Sequence, residues 1–387
     1  MTDGTGLKNR GRTHADVDDR RKAVEEYSGA KLERISKFCF DPEEASKNIE
    51  NMIGAIQIPV GFAGPVCING EYAQGEFLVP MATTEGALVA SVSRGMSVIT
   101  STGGAGVKTF GDYMTRAPVL RVRDLEHACQ VIQWIDAHGE ELEAAVASTT
   151  SHGRLARIEK FPTGRSLYLR LSYETGDAMG MNMATIASEA VCKAIEEATG
   201  AQMVSVSGNM CADKKAAAIN MIEGRGKTVV AEALIPKQTV EDRLHTTVDD
   251  VVDVNTRKNL VGSNMAGMLG ANAHAANMVA AVFLATGQDP AQVTEGALTL
   301  TTCENVDGDL YISVRMPAIE VGTVGGGTSL PTQAEALDII GCRGSGKARK
   351  LAEIIAATVL AGELSTLAAQ AAGQLGKAHA ELGRGKK

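Results

Sequence analysis

Aromatic side chains are scarce in this sequence: one Trp, six Tyr and seven Phe among 387 residues. Few rings argue against the stacking platforms on which single-stranded nucleic acids lie. Positive charge is in deficit too, with 38 Lys and Arg against 46 Asp and Glu, a formal net charge of −8. A chain with no basic runs offers little to a phosphate backbone, so no nucleic-acid partner is expected. The seven cysteines are an odd count and none forms a C-x-x-C pair. That pattern excludes a disulfide framework and a Cys-rich zinc site, and fits a reducing, cytoplasmic setting. The first 22 residues lack an apolar core of signal-peptide type. The longest nearly apolar run, 273–286, carries His274 and Asn277. It is too short to span a bilayer and reads as a buried helix, so no membrane association is expected. No lipidation motif is seen at Arg384-Gly385-Lys386-Lys387.

Glycine is in excess, with 42 residues or about 11% against a usual 7%. This predicts tight turns and close backbone approaches. The length predicts two or three domains at roughly 150 residues each. Residues 1–20 are polar and predict poor order, and Asp41-Pro42 predicts a helix to about Ile49. Short strand-like runs follow to Pro80. Thr83 or Thr84 then caps a helix to about Ile99, which sets Glu85 just inside its N-terminus. Between 118 and 206 the order is strand VLRVR, helix 125–137, the hairpin RLARIEKF and SLYLRLSYE, helix MNMATIASEAVCKAIEEAT, and strand QMVSVSG. This βαββαβ order is ferredoxin-like, unlike the βαβα alternation of a dinucleotide-binding Rossmann fold. Gly- and Ala-rich helices dominate to about Ala297, TLTTCENVDGDLYISVRMP reads as a strand pair, and 348–382 as an Ala-rich helix. The expected class is α+β. A small N-terminal helical domain (1–52) precedes a large, mainly helical domain (53–117 and 207–387), into which the ferredoxin-like domain (118–206) is inserted.

Single motifs are ambiguous. GCRGSGKA at 341–348 nearly matches a P-loop, but Ala348 replaces the hydroxyl residue that would ligate Mg²⁺, so a helix-ending turn is expected. Gly325-Gly326-Gly327 could admit a pyrophosphate or simply turn the chain. Glu85 could compensate a helix dipole or act as an acid. Asp289 before Pro290 could be an N-cap. Lys214 and Lys215 could be a solvated turn or an oxyanion-binding cluster. The seven dispersed histidines show no metal-ligand spacing, so no metal is expected.

Read as strings, the motifs are specific. ENMIGAIQIPVGFAGP, PMATTEGALVAS, GDAMGMNM, SGNMCADKKAAAINMIEGRGK, KNLVGSNMAG, NAHAAN, ATGQDPAQ and VGTVGGGT together resemble the hydroxymethylglutaryl-coenzyme A (HMG-CoA) reductase family, in order, over about Glu50 to Arg384. The likeness is to the class I branch in a soluble archaeal or bacterial form. It implies four-electron reduction of (S)-HMG-CoA by two NADPH to (R)-mevalonate and CoA, the committed step of the mevalonate pathway. The large domain would bind HMG-CoA and the insert NADPH. By the same resemblance Glu85 is the catalytic acid, Lys214 the catalytic cation, Asp289 the carboxylate linked to both, and His379 the acid that protonates the CoA thiolate. Substrate contacts fall on Arg116, Ser207, Asp213, Lys215, Lys258 and Asn277. Cofactor contacts fall on Arg154, Asp177, Met179, Gly180, Met181, Asn182 and Met183, with Val324, Gly325, Gly326 and Thr328 opposite. Gly153 stands where animal enzymes carry Ser. The chain after Gly376 would be a lid. A homodimer or homotetramer is implied, with active sites at the interface and Glu50–Gly54 as the dimer motif. Two other readings stay open: an NADH-linked, mevalonate-oxidising enzyme of the class II type, and a non-enzymatic acyl-CoA-binding protein of the same fold.

Overall fold

The computed structural model describes residues 11–373, and the ten strands among them join into one connected sheet. The strands are β1 (Val60–Asn69), β2 (Gln74–Ala82), β3 (Ala105–Arg116), β4 (Val119–Arg121), β5 (Arg154–Thr163), β6 (Ser166–Glu174), β7 (Gln202–Ser205), β8 (Gly226–Ile235), β9 (Leu300–Val306) and β10 (Asp309–Ile319). The helices that shape the site are α1 (His14–Ser28), α2 (Leu88–Ser101), α3 (Leu125–Ala137), α4 (Gly139–Ala147), α5 (Met181–Thr199), α6 (Ala275–Thr286) and α7 (Ala348–Ala371).

The larger part of the sheet runs β2-β1-β3-β8-β10-β9. Its one parallel strand pair is β1 with β3, at Ile68–Ala105 and Asn69–Gly106; the other strand pairs are antiparallel. The region read as mainly helical therefore has a sheet at its centre. β8 escaped notice because TVVAEALI presents small and branched residues to both faces, and a short apolar run has no diagnostic period. The smaller part runs β7-β4-β6-β5 with α3 and α5 in its connections, which is the ferredoxin-like arrangement. The two parts meet at β3, whose early residues pair with β8 and whose end, Met114 to Arg116, pairs with β6. Each part keeps its own core. Val92, Val229, Val314 and Leu360 belong to one, Leu120, Val131, Leu169 and Val191 to the other.

Helix α7 is apolar around its whole circumference, and such a helix must be buried. It is long and apolar enough to cross a bilayer, yet 94% of that stretch is buried inside the fold. It is also a longer apolar segment than the 273–286 run. Its N-terminal N–H groups are orphans until something accepts them. Asp177 does so from across the fold: Oδ2 accepts Gly346 N–H at 2.6 Å, and Oδ1 accepts Lys347 and Ala348 N–H at 2.9 and 3.1 Å. The near-P-loop is thus a turn and helix start whose amides face a carboxylate of the same chain.

Three local expectations are corrected. Residues 1–20 include the start of α1, which Thr13 and Asp16 close with a capping box. Residues 41–49 form successive turns rather than an α-helix, because their backbone bonds run mainly from i+3 to i: Glu44 to Asp41, Ser46 to Glu43 and Asn48 to Ala45. Helix α2 starts at Leu88, after a left-handed Ala87 (φ +72°). Thr83 Oγ1 accepts the Glu85 N–H at 3.0 Å and holds Glu85 in the preceding turn, outside the helix. The part of the 348–382 helix beyond Gly373 lies outside the described residues, as does the proposed lid.

Helices α2 and α7 touch backbone to backbone at Gly95, where an added Cβ would sit 1.9 Å from the Ala361 carbonyl oxygen. Gly95→Ala should cost about 1–3 kcal/mol by overpacking, seen as a lower urea midpoint at unchanged m-value. Burial alone would raise the Asp177 carboxyl, but the Gly346, Ala348 and Lys347 amides prevail and hold it below its usual value of 3.8. A depressed native value means stability gained above the unfolded value and lost on acidification. Asp177→Asn should cost about 1 kcal/mol at neutral pH. In paired thermal melts that difference should vanish as the pH falls below 3.8.

Candidate active site

The polar turn at 208–217 places three non-glycine residues in the left-handed region: Asn209, Ala212 and Lys214, the last at φ +58°. Such a backbone persists only where its surroundings hold it. Here the Lys214 N–H donates to Glu295 Oε2 at 3.1 Å. The Lys214 ammonium then reaches Asp289 Oδ2 at 2.8 Å. Asp289 is itself fixed as an N-cap, its Oδ1 accepting Ala291 N–H at 3.0 Å. The hydrogen bond to Asp289 outweighs partial burial and raises the Lys214 ammonium above the usual lysine value, aided by the charges of Asp289, Asp213 and Glu295.

Other candidates gather around this pair. Asp213 accepts from Arg225 at 3.0 Å and Gln292 at 3.1 Å, and lies 3.5 Å from Arg116. The Nε of Arg116 is buried without a partner. Lys215 folds back onto the Asp213 carbonyl at 3.0 Å, and Ser207 Oγ lies 3.8 Å from Cys211 Sγ.

Glu85 belongs to a second cluster. Its Oε1 accepts from Asn277 Nδ2 at 3.2 Å, and the same amide nitrogen lies 3.3 Å from His274 Nδ1. His274 Nε2 faces the Gly362 carbonyl and Thr366 Oγ1 on α7. Buried Glu363 accepts the N–H groups of Ala273 and His274, tying the start of α6 to α7. Lys258 lies in a π-helical stretch (Asn255–Gly262) and donates to Asn259 at 2.9 Å. Burial lowers its ammonium below the usual value, and Glu363 opposes that. Asn277 sits at the start of α6 and Asp289 beyond its end. From Asn277 to Thr286 the helix rises about 14 Å. One chain thus holds Lys214 with Asp289 at one end of α6, and Glu85 with Asn277 at the other.

Three glycine-bearing segments, distant in sequence, converge near the Lys214 cluster. The Asp177 carbonyl accepts Thr323 N–H at 2.8 Å. Gln288 Oε1 accepts Gly322 N–H at 2.9 Å. Gly287 and Gly327 touch so closely that a Cβ on either would meet the other's carbonyl oxygen within 2.5 Å. Met179, Gly180, Met181, Asn182 and Met183 open α5 beside this junction, with Gly180 at its N-cap. Val324 precedes Gly325 and Gly326, which have positive φ and open space where side chains would be. Thr328 closes the turn through Gly325 O at 2.6 Å. Arg154 is exposed and holds Glu174 by two bonds, at 2.8 and 3.2 Å. Gly153 packs against Met183. His379 lies outside the described residues. Among the described residues no group of three His, Cys, Asp or Glu is placed to hold a metal ion.

Sequence reasoning missed Arg225, Glu295, Glu320 and Glu363, all fully or almost fully buried. Arg225 lies inside the EGRGK string but carried no reading of its own. A Glu inside an apolar helix such as α7, which carries Glu353 and Glu363, was the available signal for Glu363.

Known proteins share this chain's sequence and fold. The hydroxymethylglutaryl-coenzyme A reductase family matches residues 16–384. The 3-hydroxy-3-methylglutaryl-coenzyme A reductase of Haloferax volcanii is 53% identical over 99% of this chain and 100% of its own length. That of Pyrococcus horikoshii is 54% identical over 94% and 91%. Among solved structures, the class II enzyme of Streptococcus pneumoniae bound to NADPH superposes with a TM-score of 0.70 at 21% identity, covering 91% of this chain and 86% of that one. That likeness shows the shared fold. On its sequence, over nearly its whole length, the chain belongs to the hydroxymethylglutaryl-coenzyme A reductase family.

Proposed function

We propose that the chain reduces (S)-HMG-CoA to (R)-mevalonate and CoA with two equivalents of NADPH. Family membership gives the reaction, and the Lys214–Asp289 ion pair is the observation that carries the site. The residues suit the cofactor. Gly325 and Gly326 leave backbone open to a pyrophosphate, and Arg154, exposed but paired with Glu174, would turn its guanidinium to the 2′-phosphate. Met179 to Met183 line the adjoining face. Bound NADPH supplies a hydride to the thioester carbon and, after exchange, a second to the aldehyde carbon.

The protein's part is charge and protons. As the thioester carbonyl carbon becomes tetrahedral, its oxygen gains negative charge, and the Lys214 ammonium stabilises it. Asp289 keeps that ammonium protonated and aimed. Collapse breaks the C–S bond and releases CoA thiolate, which His379 would protonate. Mevaldehyde remains, and Glu85 would supply the proton to its oxygen in the second reduction. Arg116, Lys215, Lys258 and Asn277 would hold the substrate's carboxylate and hydroxyl groups, with Ser207 and Asp213 shaping the turn beside them.

The separation along α6 bears on assembly. Glu85 and Lys214 must act on one substrate, yet they sit at opposite ends of that helix. This favours a homodimer in which one copy supplies Glu85 and its partner Lys214, with a tetramer as a pair of such dimers. A cytoplasmic location fits seven free cysteines and a buried α7.

Wild-type protein should consume two NADPH per CoA thiol released, followed at 340 nm; a clear preference for NADH would overturn the cofactor assignment. Lys214→Ala should abolish reduction of both HMG-CoA and added mevaldehyde, whereas His379→Ala should largely spare mevaldehyde. Glu85→Gln and Lys214→Ala proteins should each be inactive, but co-refolded together should recover about a quarter of wild-type activity by random pairing. A site built within one chain would recover none.

A further inference from the structure

Glu295 lies on the short helix Val293–Gly296 and is fully buried. A buried carboxylate is costly unless it is paired and hydrogen-bonded. Glu295 accepts three bonds: from Lys214 N–H at 3.1 Å, Arg225 Nη1 at 2.8 Å and Asn220 Nδ2 at 3.2 Å. Arg225 is also fully buried and reaches Glu320, Gln292 and Asp213 at 3.2, 3.2 and 3.0 Å. One arm of this buried network therefore ends on the backbone of the residue whose ammonium faces Asp289, and that backbone is left-handed without being glycine.

We propose that Glu295 is a positioning residue for the reaction: it clamps the left-handed backbone of Lys214 to buried Arg225 and so fixes where the ammonium points. The inference rests on Lys214 being the reacting cation. The Lys214 side chain is 43% exposed, so its direction depends on its backbone more than on packing. Without the Glu295 bond, the turn would relax toward an unstrained conformation, and the ammonium would leave the geometry that the developing oxyanion needs.

The charges around Glu295 make the clamp sensitive to pH. Arg225 just before β8, Asp213 in the 208–217 turn and Glu320 just after β10 face it, with Lys214, Asp289, Arg116 and Cys211 beyond. Three carboxylates, Glu295, Glu320 and Asp213, share the buried guanidinium, while Arg116 approaches Asp213 alone, at 3.5 Å. Burial pushes Glu295 up to about 7, against the pull of Arg225 and the Lys214 amide. Burial likewise raises Glu320 well above the usual carboxylate range. Ionised Glu295 accepts the amide more strongly than neutral Glu295 does, so the clamp tightens as the pH rises through that range.

Glu295→Gln preserves size but puts a donor where one of the three donors must find an acceptor. The variant should lose ten- to a hundredfold in kcat, with KM for HMG-CoA and NADPH within threefold of wild type. Its kcat profile should also lose an ionisation near 7. In wild-type protein labelled with ¹⁵N-lysine, the Lys214 amide, assigned by its loss in Lys214→Arg, should titrate with a midpoint near 7. That titration is read without substrate, so it stands whether or not the enzyme turns over HMG-CoA, and whether or not Glu295→Gln folds. A Lys214 amide that stays fixed from about pH 5.5 to 8.5 overturns the proposal. So does a folded Glu295→Gln with kcat within twofold of wild type and an unchanged pH profile.

Discussion

Burial of α7 is the constraint on which the rest of the structure depends. A helix with apolar residues on every face must be enclosed, and the six-stranded part of the sheet, α2 and α6 enclose it. Its few polar groups then become fixed points. Glu353 accepts the N–H groups of Glu71, Tyr72 and Ala73 and so holds the β1–β2 turn. Glu363 holds the start of α6. Ser365 takes Arg94 from α2, and Asp177 closes the N-terminus. Each bond satisfies a group that burial would otherwise penalise, and those of Glu363 and Asp177 also fix segments that carry candidate site residues.

The same economy of buried charge shapes the chemistry. Arg225 gathers Asp213, Glu295 and Glu320 out of water, and its neighbours fix the turn that carries Lys214 and Lys215. Near the surface the hydrogen bond to Asp289 and the charges of the neighbouring carboxylates keep Lys214 cationic, as its proposed oxyanion-stabilising role would require. The chain's net charge of −8 therefore says little about its anionic substrate, which would meet a local group of Arg116, Lys214, Lys215 and Lys258.

Helix α6 has a double role. Its start presents Asn277 to Glu85, and the turn after its end presents Asp289 to Lys214. Because the helix is rigid, the Glu85 and Lys214 clusters stay apart within one chain, and under the proposed function that separation would tie activity to assembly. Beside the Lys214 cluster, Gly287 against Gly327 and Gly322 against Asp177–Met179 bring the GDAMG, GQD and VGTVGGGT segments together at backbone distance.

The sequence by itself determined the family, the α+β class and the ferredoxin-like order of 118–206. Long motif strings carry identity, and the alternation in β6 and the amphipathic α5 carry period. It also determined the candidate residues, but only through resemblance, since Glu85, Lys214 and Asp289 taken singly look like a dipole partner, a solvated turn and an N-cap. Tertiary structure decided what local signals cannot carry. β3 and β8 became strands because neighbouring strands pair with them, while their own residues have no clear period. Glu85 stayed outside α2 because Thr83 took its amide. Arg225, Glu295 and Glu320 acquired meaning only when folding brought residues up to about a hundred positions apart into one water-free cluster, where a shared guanidinium and burial set their charge.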